Sequence, residues 1–171
     1  MLDAPTSKID VQFAPDFLIN LGRDTDAPRL RDRFKAGRNV NTVPEDDAKA
    51  VSWFRKATEQ GDAWAQYNLG WMYDQGEGVP QDDAEAVKWY RLAAEQGYSY
   101  AQYSLGRMYR QGEGVPEDNV YAYMWWNIAA SQGDADASTR KREVAGRMSQ
   151  SAIEEAQRLS RECVAKDYKD C

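Results

Sequence analysis

The chain has 171 residues, which is enough for one compact domain or one short array of repeats. Its net charge of −6 and its sequence pI of about 4.8 argue against a general binder of nucleic acid or anionic membranes. Histidine, the commonest general base and metal ligand, is absent, two cysteines are too few for a four-thiolate metal site, and no apolar run approaches the roughly 20 residues of a membrane-spanning helix.

Residues 1–27 precede any clear repeat and are predicted to form an N-terminal arm or cap. They contain prolines and a short alternating apolar run at Ile9, Val11 and Phe13, which is typical of an extended segment lying over the first helices. Disorder of this segment is the alternative. No charged segment followed by an apolar stretch occurs there, so the chain as given is expected to carry no signal peptide.

The central part of the sequence repeats itself with a period of 36 residues. Residues 53–88 laid over residues 89–124 agree at 21 of 36 positions. The segment Gly-Glu-Gly-Val-Pro occurs in both units, at 76–80 and at 112–116. A fixed period of this length is the signature of a repeat architecture, and it favours a short array over one compact domain.

Each unit is predicted to form two helices, A and B. After Gly61, Asp62 is a good N-cap, and apolar residues then follow at three- and four-residue spacing until Gly76 ends helix A. Pro80 is predicted to lie in the first turn of helix B, which Gly97 ends. The glycine that separates one unit from the next is assigned to chain reversal rather than to function.

The repeated residues resemble the Sel-one-like repeat (SLR), a relative of the tetratricopeptide repeat with a slightly longer loop. Both units carry the pattern A-x-Y-x-L-G-x-M-Y-x-x-G-x-G-V-P-x-D, followed by A-x-x-W-(Y/W)-x-x-A-A-x-x-G. The resemblance implies an all-α fold. The expected architecture is a right-handed α-solenoid of stacked helix-turn-helix repeats with about eight helices.

The array is predicted to span residues 28–147. Its parts are a degenerate segment at 28–60 that begins with a helix A at 28–37, full units at about 62–96 and 98–132, and a partial unit at 134–147. Residues 149–171 are predicted to form a C-terminal capping helix and tail. Ser151 and Glu154 match the capping-box pattern at the start of that closing helix.

Cys163 and Cys171 stand eight positions apart at the C-terminal end of the sequence. A disulfide between them would staple the tail to the closing helix, and such bridges persist mainly in exported proteins. The alternative is a pair of free cytosolic thiols. Location is therefore left open, with a periplasmic or exported protein expected if the cysteines are bridged and a cytoplasmic one if they are not.

Signals for catalysis are weak. Ser138-Thr139-Arg140-Lys141 matches the S-x-x-K motif of penicillin-recognising enzymes, and the family resemblance carries an association with β-lactam binding, but neither S-D-N nor K-T-G is present. The Gly-x-Gly loops lack the Gly-Lys-Ser/Thr of a phosphate cradle. We therefore predict no catalytic residues, no metal and no cofactor. A cell-wall or β-lactam-related enzyme or binding protein is the alternative.

The resemblance implies that helix A of each unit lines the concave side of the solenoid. The inward-facing positions would lie five before, two before, two after and five after the leucine of the Leu-Gly pair. In this sequence they are Trp64, Tyr67, Trp71 and Asp74 in the first full unit, and Tyr100, Tyr103, Arg107 and Arg110 in the second. The two tyrosines that recur, Tyr67 and Tyr103, are expected to serve mainly the core.

These positions predict non-catalytic binding of a protein or peptide partner, because aromatic and arginine side chains dominate binding hot spots. Arg107 and Arg110, with Arg140 and Arg147 on the next helix A, would form a positive strip for a carboxylate-rich segment. Alternatively, the arginine stems cover apolar surface and pair with carboxylates such as Asp74.

Two other outcomes for partners follow from the sequence. Homo-oligomerisation through exposed aromatic residues, such as Tyr121 and Trp126, is an alternative to binding a different protein. Nucleic acid is not expected as a partner, because the chain is acidic overall.

Overall fold

The computed structural model describes residues 44–171, and this part of the chain is a stack of seven α-helices without a strand. Helices α1 to α7 span Pro44–Thr58, Ala63–Gln75, Asp83–Ala94, Ser99–Gln111, Asn119–Ser131, Ala135–Ala145 and Gln150–Ala165. The all-α solenoid of helical repeats is confirmed. The predicted arm at 1–27 and the degenerate helix A at 28–37 lie outside the described residues.

The helices alternate between the two types that the repeat predicts. Helices α2, α4 and α6 are helix A of successive units, and α1, α3 and α5 are helix B. Helix α2 begins behind Asp62, whose side chain accepts a hydrogen bond from the Ala65 amide at 2.6 Å, and it ends at Gly76 in the left-handed conformation. Helix α4 ends in the same way at Gly112.

Helix B starts later than the sequence predicts. Helix α3 begins at Asp83 behind the N-cap Asp82, so Pro80 lies in the preceding loop and its predicted place in the first helical turn is wrong. The physical reason is that the loop is hydrogen-bonded to helix A. The backbone N–H of Asp82 donates to the carbonyl of Tyr73 at 3.0 Å, and its side chain accepts from the amide of Glu85.

The closing helix also differs from the prediction at its start. Helix α7 begins at Gln150, and Ser149 is its N-cap, accepting a hydrogen bond from the amide of Ala152 at 3.2 Å. The capping box predicted for Ser151 and Glu154 is therefore wrong, because Ser151 already lies inside the first turn.

Within each unit, helices A and B approach closely at the glycine of the Leu-Gly pair. A Cβ atom built on Gly70 would lie 2.9 Å from the ring of Tyr90, and one built on Gly106 would lie 2.5 Å from the ring of Trp126. Each glycine thus leaves space for a large aromatic ring of its own helix B. This arrangement lets a glycine of one helix and a large ring of the other pack closely in the core.

Contacts between units repeat with the same period as the sequence. The side-chain amide of Gln96 donates to the side-chain oxygen of Gln66 at 2.8 Å, and that of Gln132 donates to the side-chain oxygen of Gln102 at 2.9 Å. The loop glycines fix the spacing of the stack as well. A side chain on Gly78, which has a φ of 68°, would strike the backbone at the start of the preceding helix B.

Helix α7 packs against α5 and contacts α6 little, so it does not complete a third regular unit. The hydroxyl of Ser160 donates to the carbonyl of Met124 at 3.3 Å, and Cys163 is buried in the core with Trp125 and Ile128. Cys163 is joined to Cys171 by a disulfide. The tail after α7 is thereby tied to the core.

Candidate functional site

The eight candidate residues lie on two neighbouring helices, four on α2 and four on α4. We call the surface that they form the A-helix face: Trp64, Tyr67, Trp71, Asp74, Tyr100, Tyr103, Arg107 and Arg110. Side chains of this face contact one another between the two helices. The ring centroids of Tyr67 and Tyr100 are 6.2 Å apart, and the guanidinium of Arg107 is hydrogen-bonded to the carboxylate of Asp74.

Three tyrosines from the two units form one cluster, which we call the tyrosine cluster: Tyr67, Tyr98 and Tyr100. The ring of Tyr98 lies 5.3 Å from that of Tyr67 and 5.6 Å from that of Tyr100. Tyr67 is buried, whereas Tyr100 is 44% exposed. Burial raises the pKa of Tyr67 to about 12, although its hydrogen bond with Ser104 opposes the shift. The cluster is therefore buried at Tyr67 and exposed to solvent at Tyr100.

Sequence reasoning missed Tyr98, because it lies outside helix A. It stands at the N-cap of α4, at the place where Asp62 and Asp134 cap α2 and α6 through side-chain hydrogen bonds, and it makes no such bond. Tyrosine in place of a capping aspartate breaks a local rule, and such breaks concentrate where another role is served. This departure was the signal that could have identified it.

A buried carboxylate links the two units beside the tyrosine cluster. Asp74 is only 8% exposed and accepts hydrogen bonds from the hydroxyl of Tyr90, at 3.1 Å, and from Arg107. Arg107 also donates to Glu113 at 2.5 Å. Burial, the largest single influence, lowers the pKa of Arg107, but the neighbouring Asp74, Tyr90 and Glu113 together outweigh it, so the pKa of Arg107 is raised.

Three of the four arginines proposed as a positive strip, Arg107, Arg110 and Arg140, are paired with carboxylates. Besides the pairing of Arg107 with Asp74, Arg110 lies 2.9 Å from Glu117. Arg140 lies 3.0 Å from Glu143. The structure thus contains the ion pairs that the sequence left open as the alternative, and a partner's carboxylate would meet arginines that already have acidic neighbours.

The other candidates face different neighbours. Trp64 packs edge-to-face on Phe54 of α1, with ring centroids 5.4 Å apart. Trp71 is half-buried against the main core cluster. Tyr103 is turned toward α6, where its hydrogen bond is the main cause of a raised pKa for Arg140. Of the eight candidates, the structure therefore gathers four around the tyrosine cluster: Tyr67, Asp74, Tyr100 and Arg107.

The pattern of helices and contacts agrees with a comparison against protein families. The Sel1 repeat model matches residues 35–62, 65–98 and 99–134, which is more than half of the chain. The chain belongs to the Sel1 repeat family. The resemblance to Sel-one-like repeats is confirmed, and the first matched segment extends the family assignment into the part predicted as degenerate. No curated protein matches the sequence.

Two solved structures are similar to this Sel1 repeat chain. One is c5321, described as a protective antigen present in uropathogenic Escherichia coli strains and displaying an SLR fold, with 33% sequence identity and a TM-score of 0.75. The match covers 88% of this chain and 32% of that one. The other is a Sel1 repeat protein from Oxalobacter formigenes, with 32% identity, a TM-score of 0.55, and coverage of 68% of this chain and 55% of that one.

Membership of the Sel1 family bears on function at a general level. Sel1 repeats generally act as scaffolds for protein–protein interaction, and the SLR fold is typically non-catalytic. The chain spans about a third of the length of c5321 and about half of the length of the second structure.

The Sel1 array buries one aromatic residue that the sequence predicts to be exposed. Trp126 is only 4% exposed, and its indole N–H donates to the carbonyl of Tyr103 at 3.0 Å. Tyr121 is half-buried and stacks on Tyr109, with ring centroids 5.1 Å apart. The prediction that Trp126 offers an exposed surface for self-association is therefore wrong, because this ring fills the space above Gly106.

The S-x-x-K segment of the array makes local contacts. The hydroxyl of Ser138 donates to the carbonyl of Asp134 at 3.1 Å, and the ammonium of Lys141 donates to the side chain of Asn127 at 3.2 Å. Within residues 44–171 we find no group of three or more side chains able to hold a metal ion. No helix of this same range is long and apolar enough to cross a membrane.

Proposed function

We propose that this chain is a non-catalytic adaptor or scaffold that binds a protein or peptide segment on the A-helix face. The observation that carries the proposal is the exposed edge of the tyrosine cluster. Tyr100 is the most exposed large aromatic residue of the described part of the chain, and it rests on Tyr67 and Tyr98. A large ring that is already held in place loses little conformational entropy when a partner covers it.

The two units give the proposed site different chemistry along its length. The four positions contributed by α2 include two tryptophans, whereas those contributed by α4 include Arg107 and Arg110. A segment with an apolar anchor and a nearby carboxylate fits this order. The anchor would pack on Tyr100, and the carboxylate would compete with Glu117 for Arg110 or with Glu113 for Arg107.

The carboxylate is expected to contribute more to specificity than to affinity. An exchange of one exposed acidic partner for another changes the ion-pair energy by less than about 1 kcal/mol. Tyr100 is therefore expected to provide most of the binding free energy. Arg107 is a poor probe of binding, because its loss would also strand the buried carboxylate of Asp74.

The test is a selection of short random peptides, displayed on phage, against the immobilised full chain in its oxidised form. The recovered peptide is then titrated by calorimetry against wild type and variants. We expect Tyr100→Ala to weaken binding about tenfold or more, as for a hot-spot aromatic, and Arg110→Ala to weaken it a few-fold. Unfolding by urea should be nearly unchanged in both variants.

Leu92→Ala is the matched control, because Leu92 is an exposed large residue on a helix B. It should bind the peptide as wild type does. Recovery of no peptide would contradict the proposal, and so would a peptide that binds Tyr100→Ala and wild type equally.

A further inference from the structure

Three equivalent glycines form the corners between helix B of one unit and helix A of the next: Gly61, Gly97 and Gly133. Their φ angles are 78°, 81° and 97°, so all three adopt the same left-handed turn. Within residues 44–171, a side chain covers Gly97 alone among these three corners. A Cβ atom at Gly97 would lie 3.1 Å from Cε2 of Tyr168, whereas the described residues place nothing within 4 Å of that point at the other two corners.

Tyr168 belongs to a loop that the disulfide closes. Cys163 is buried in the core at the end of α7, and Cys171 packs against the same cluster. Between them, Asp167, Tyr168 and Asp170 have φ angles of 51°, 64° and 54°. Non-glycine residues disfavour this left-handed region, so surrounding structure must impose it. Here the N–H of Tyr168 donates to the carbonyl of Cys163 at 2.9 Å and that of Asp167 to the carbonyl of Val164 at 3.1 Å, as at a helix C-terminus that ends in a left-handed turn. The disulfide closes the loop covalently beyond this turn.

The covered corner leads directly into the tyrosine cluster. The N–H of Gly97 donates to the carbonyl of Ala94 at 2.9 Å, and that of Tyr98 donates to the carbonyl of Ala93 at 3.1 Å. Tyr98 then begins α4 without a side-chain cap and contacts the ring of Tyr100. The ring of Tyr168, packed on Gly97, therefore stabilises the start of α4, which has no side-chain N-cap hydrogen bond.

We propose that the loop from Cys163 to Cys171 is a redox-sensitive strap that holds the Gly97 corner, and through it the tyrosine cluster, in the conformation that binds a partner. This regulation rests on the function proposed above. A dithiol reductant supplies two electrons and two protons, so the S–S bond breaks, two thiols form and the dithiol becomes a disulfide. The loop then relaxes, Tyr168 leaves Gly97, and binding at the A-helix face weakens.

Amide hydrogen exchange tests the strap without any ligand. Exchange is measured for the oxidised chain, for the chain reduced with a dithiol, and for Tyr168→Ala with its disulfide intact. We expect the amides of Gly97 and Tyr98 to exchange about tenfold faster or more in the second and third samples, with those of Leu69 and Met72 in α2 unchanged. Lys169→Ala, an exposed position in the same loop, is the matched control and should exchange like wild type.

Equal exchange at Gly97 and Tyr98 in all samples would overturn the strap. A double Cys163→Ser/Cys171→Ser variant repeats the reduced state without reductant. Should that variant fail to fold, the reduced wild type and Tyr168→Ala still decide the matter.

The selected peptide then tests the regulation. We expect its dissociation constant to rise about fivefold or more on reduction and in Tyr168→Ala. Faster exchange with an unchanged dissociation constant would overturn the regulation and leave the strap as a structural device. If no peptide binds even the oxidised chain, the proposed function fails and the regulation with it, while hydrogen exchange separately decides whether the strap holds the corner.

Discussion

The first full unit, helices α2 and α3, closes its helix pair with a charged network, whereas the second, α4 and α5, closes its pair with an indole. In the first, the hydroxyl of Tyr90 donates to the buried carboxylate of Asp74. In the second, Trp126 occupies the place of Tyr90, and its indole N–H reaches the carbonyl of Tyr103. At the same place in the repeat, the buried polar group of helix B thus donates to a side-chain carboxylate in one unit and to a backbone carbonyl in the other.

The difference extends to the neighbouring charges. Asp74 is needed in the first unit because the buried hydroxyl of Tyr90 must have a partner. Trp126 donates to a backbone carbonyl, so the second unit needs no buried carboxylate. Arg110 occupies the position equivalent to Asp74 and pairs with Glu117 near the surface. Residues shared by the two units thus form the stack, whereas residues that differ between the units change together within one unit.

High pH should give the largest effect and should act through the first unit. Burial raises the pKa of Tyr67 from 10.0 to about 12 and also raises the pKa of Tyr90 well above its usual value. The unfolded chain therefore loses these protons before the folded chain does, and stability that is complete below pH 10 falls as the pH rises toward 12. Tyr67 alone corresponds to roughly 3 kcal/mol.

Urea unfolding measured at several pH values checks this expectation. Tyr67→Phe removes one of the two ionisations, so its stability should fall less steeply above pH 10 than that of wild type. Equal slopes would show that Tyr67 is not responsible for the alkaline loss.

Alanine at the glycine of each Leu-Gly pair compares the two closures directly. Gly106→Ala should cost about 2 kcal/mol of unfolding free energy, because its Cβ would overlap the ring of Trp126, which a hydrogen bond holds in place. Gly70→Ala should cost less, since the nearest contacts of its Cβ, 2.9 Å to the ring of Tyr90 and 3.2 Å to the carbonyl oxygen of Ala86, are less severe than the 2.5 Å contact at Gly106. The gain in helix propensity, about 1 kcal/mol, is common to both variants. Chemical denaturation measures both. A larger loss in Gly70→Ala would reverse the comparison.

Asp74 and Arg110 occupy equivalent positions in the two units. Replacing each by alanine should lower the unfolding free energy by unequal amounts, both smaller than the loss in Gly106→Ala. Asp74→Ala leaves the buried hydroxyl of Tyr90 without its acceptor, while Arg107 keeps Glu113, and should cost about 1.5 kcal/mol. Arg110→Ala removes only a surface pair and should cost less than about 0.5 kcal/mol. Urea unfolding of both variants checks the difference, with Glu117→Ala as the control for the surface pair. Equal losses would mean that the two positions are alike in energy despite their different burial.

The sequence predicts the repeated features well, because they depend on short-range rules. Helix A ending at Gly76 and the turn at Gly97 follow from capping and from the conformational freedom of glycine. The start of helix B at Asp83 does not follow from the presence of Pro80. It depends on a hydrogen bond that returns to Tyr73 of the preceding helix.

The candidate site is harder to predict, because its pairings join different units. Whether Arg107 would be free or paired depends on its distance to Asp74, 33 residues earlier in the chain. The exposure of Trp126 depends on the space left above Gly106 on another helix. A periodic pattern shows which positions are equivalent, but it does not give the distances between side chains on neighbouring helices.

Tyr98→Asp should change stability little, and it gives the sharpest test of what distinguishes the second unit. The substitution makes this position like Asp62 and Asp134, so α4 gains a side-chain cap of about 1 kcal/mol. It also removes ring contacts with Tyr67 and Tyr100 of about the same size. The unfolding free energy should therefore change by less than about 1 kcal/mol.

Binding should respond differently from stability, because aspartate caps the helix but cannot support the ring of Tyr100. We expect the selected peptide to bind Tyr98→Asp about fivefold more weakly or worse, and to bind Tyr98→Phe, which keeps the ring, nearly as wild type. Calorimetry and urea unfolding of the same samples separate the two effects. A Tyr98→Asp chain that is more stable than wild type and binds the peptide equally well would mean that tyrosine at this corner serves neither packing nor binding.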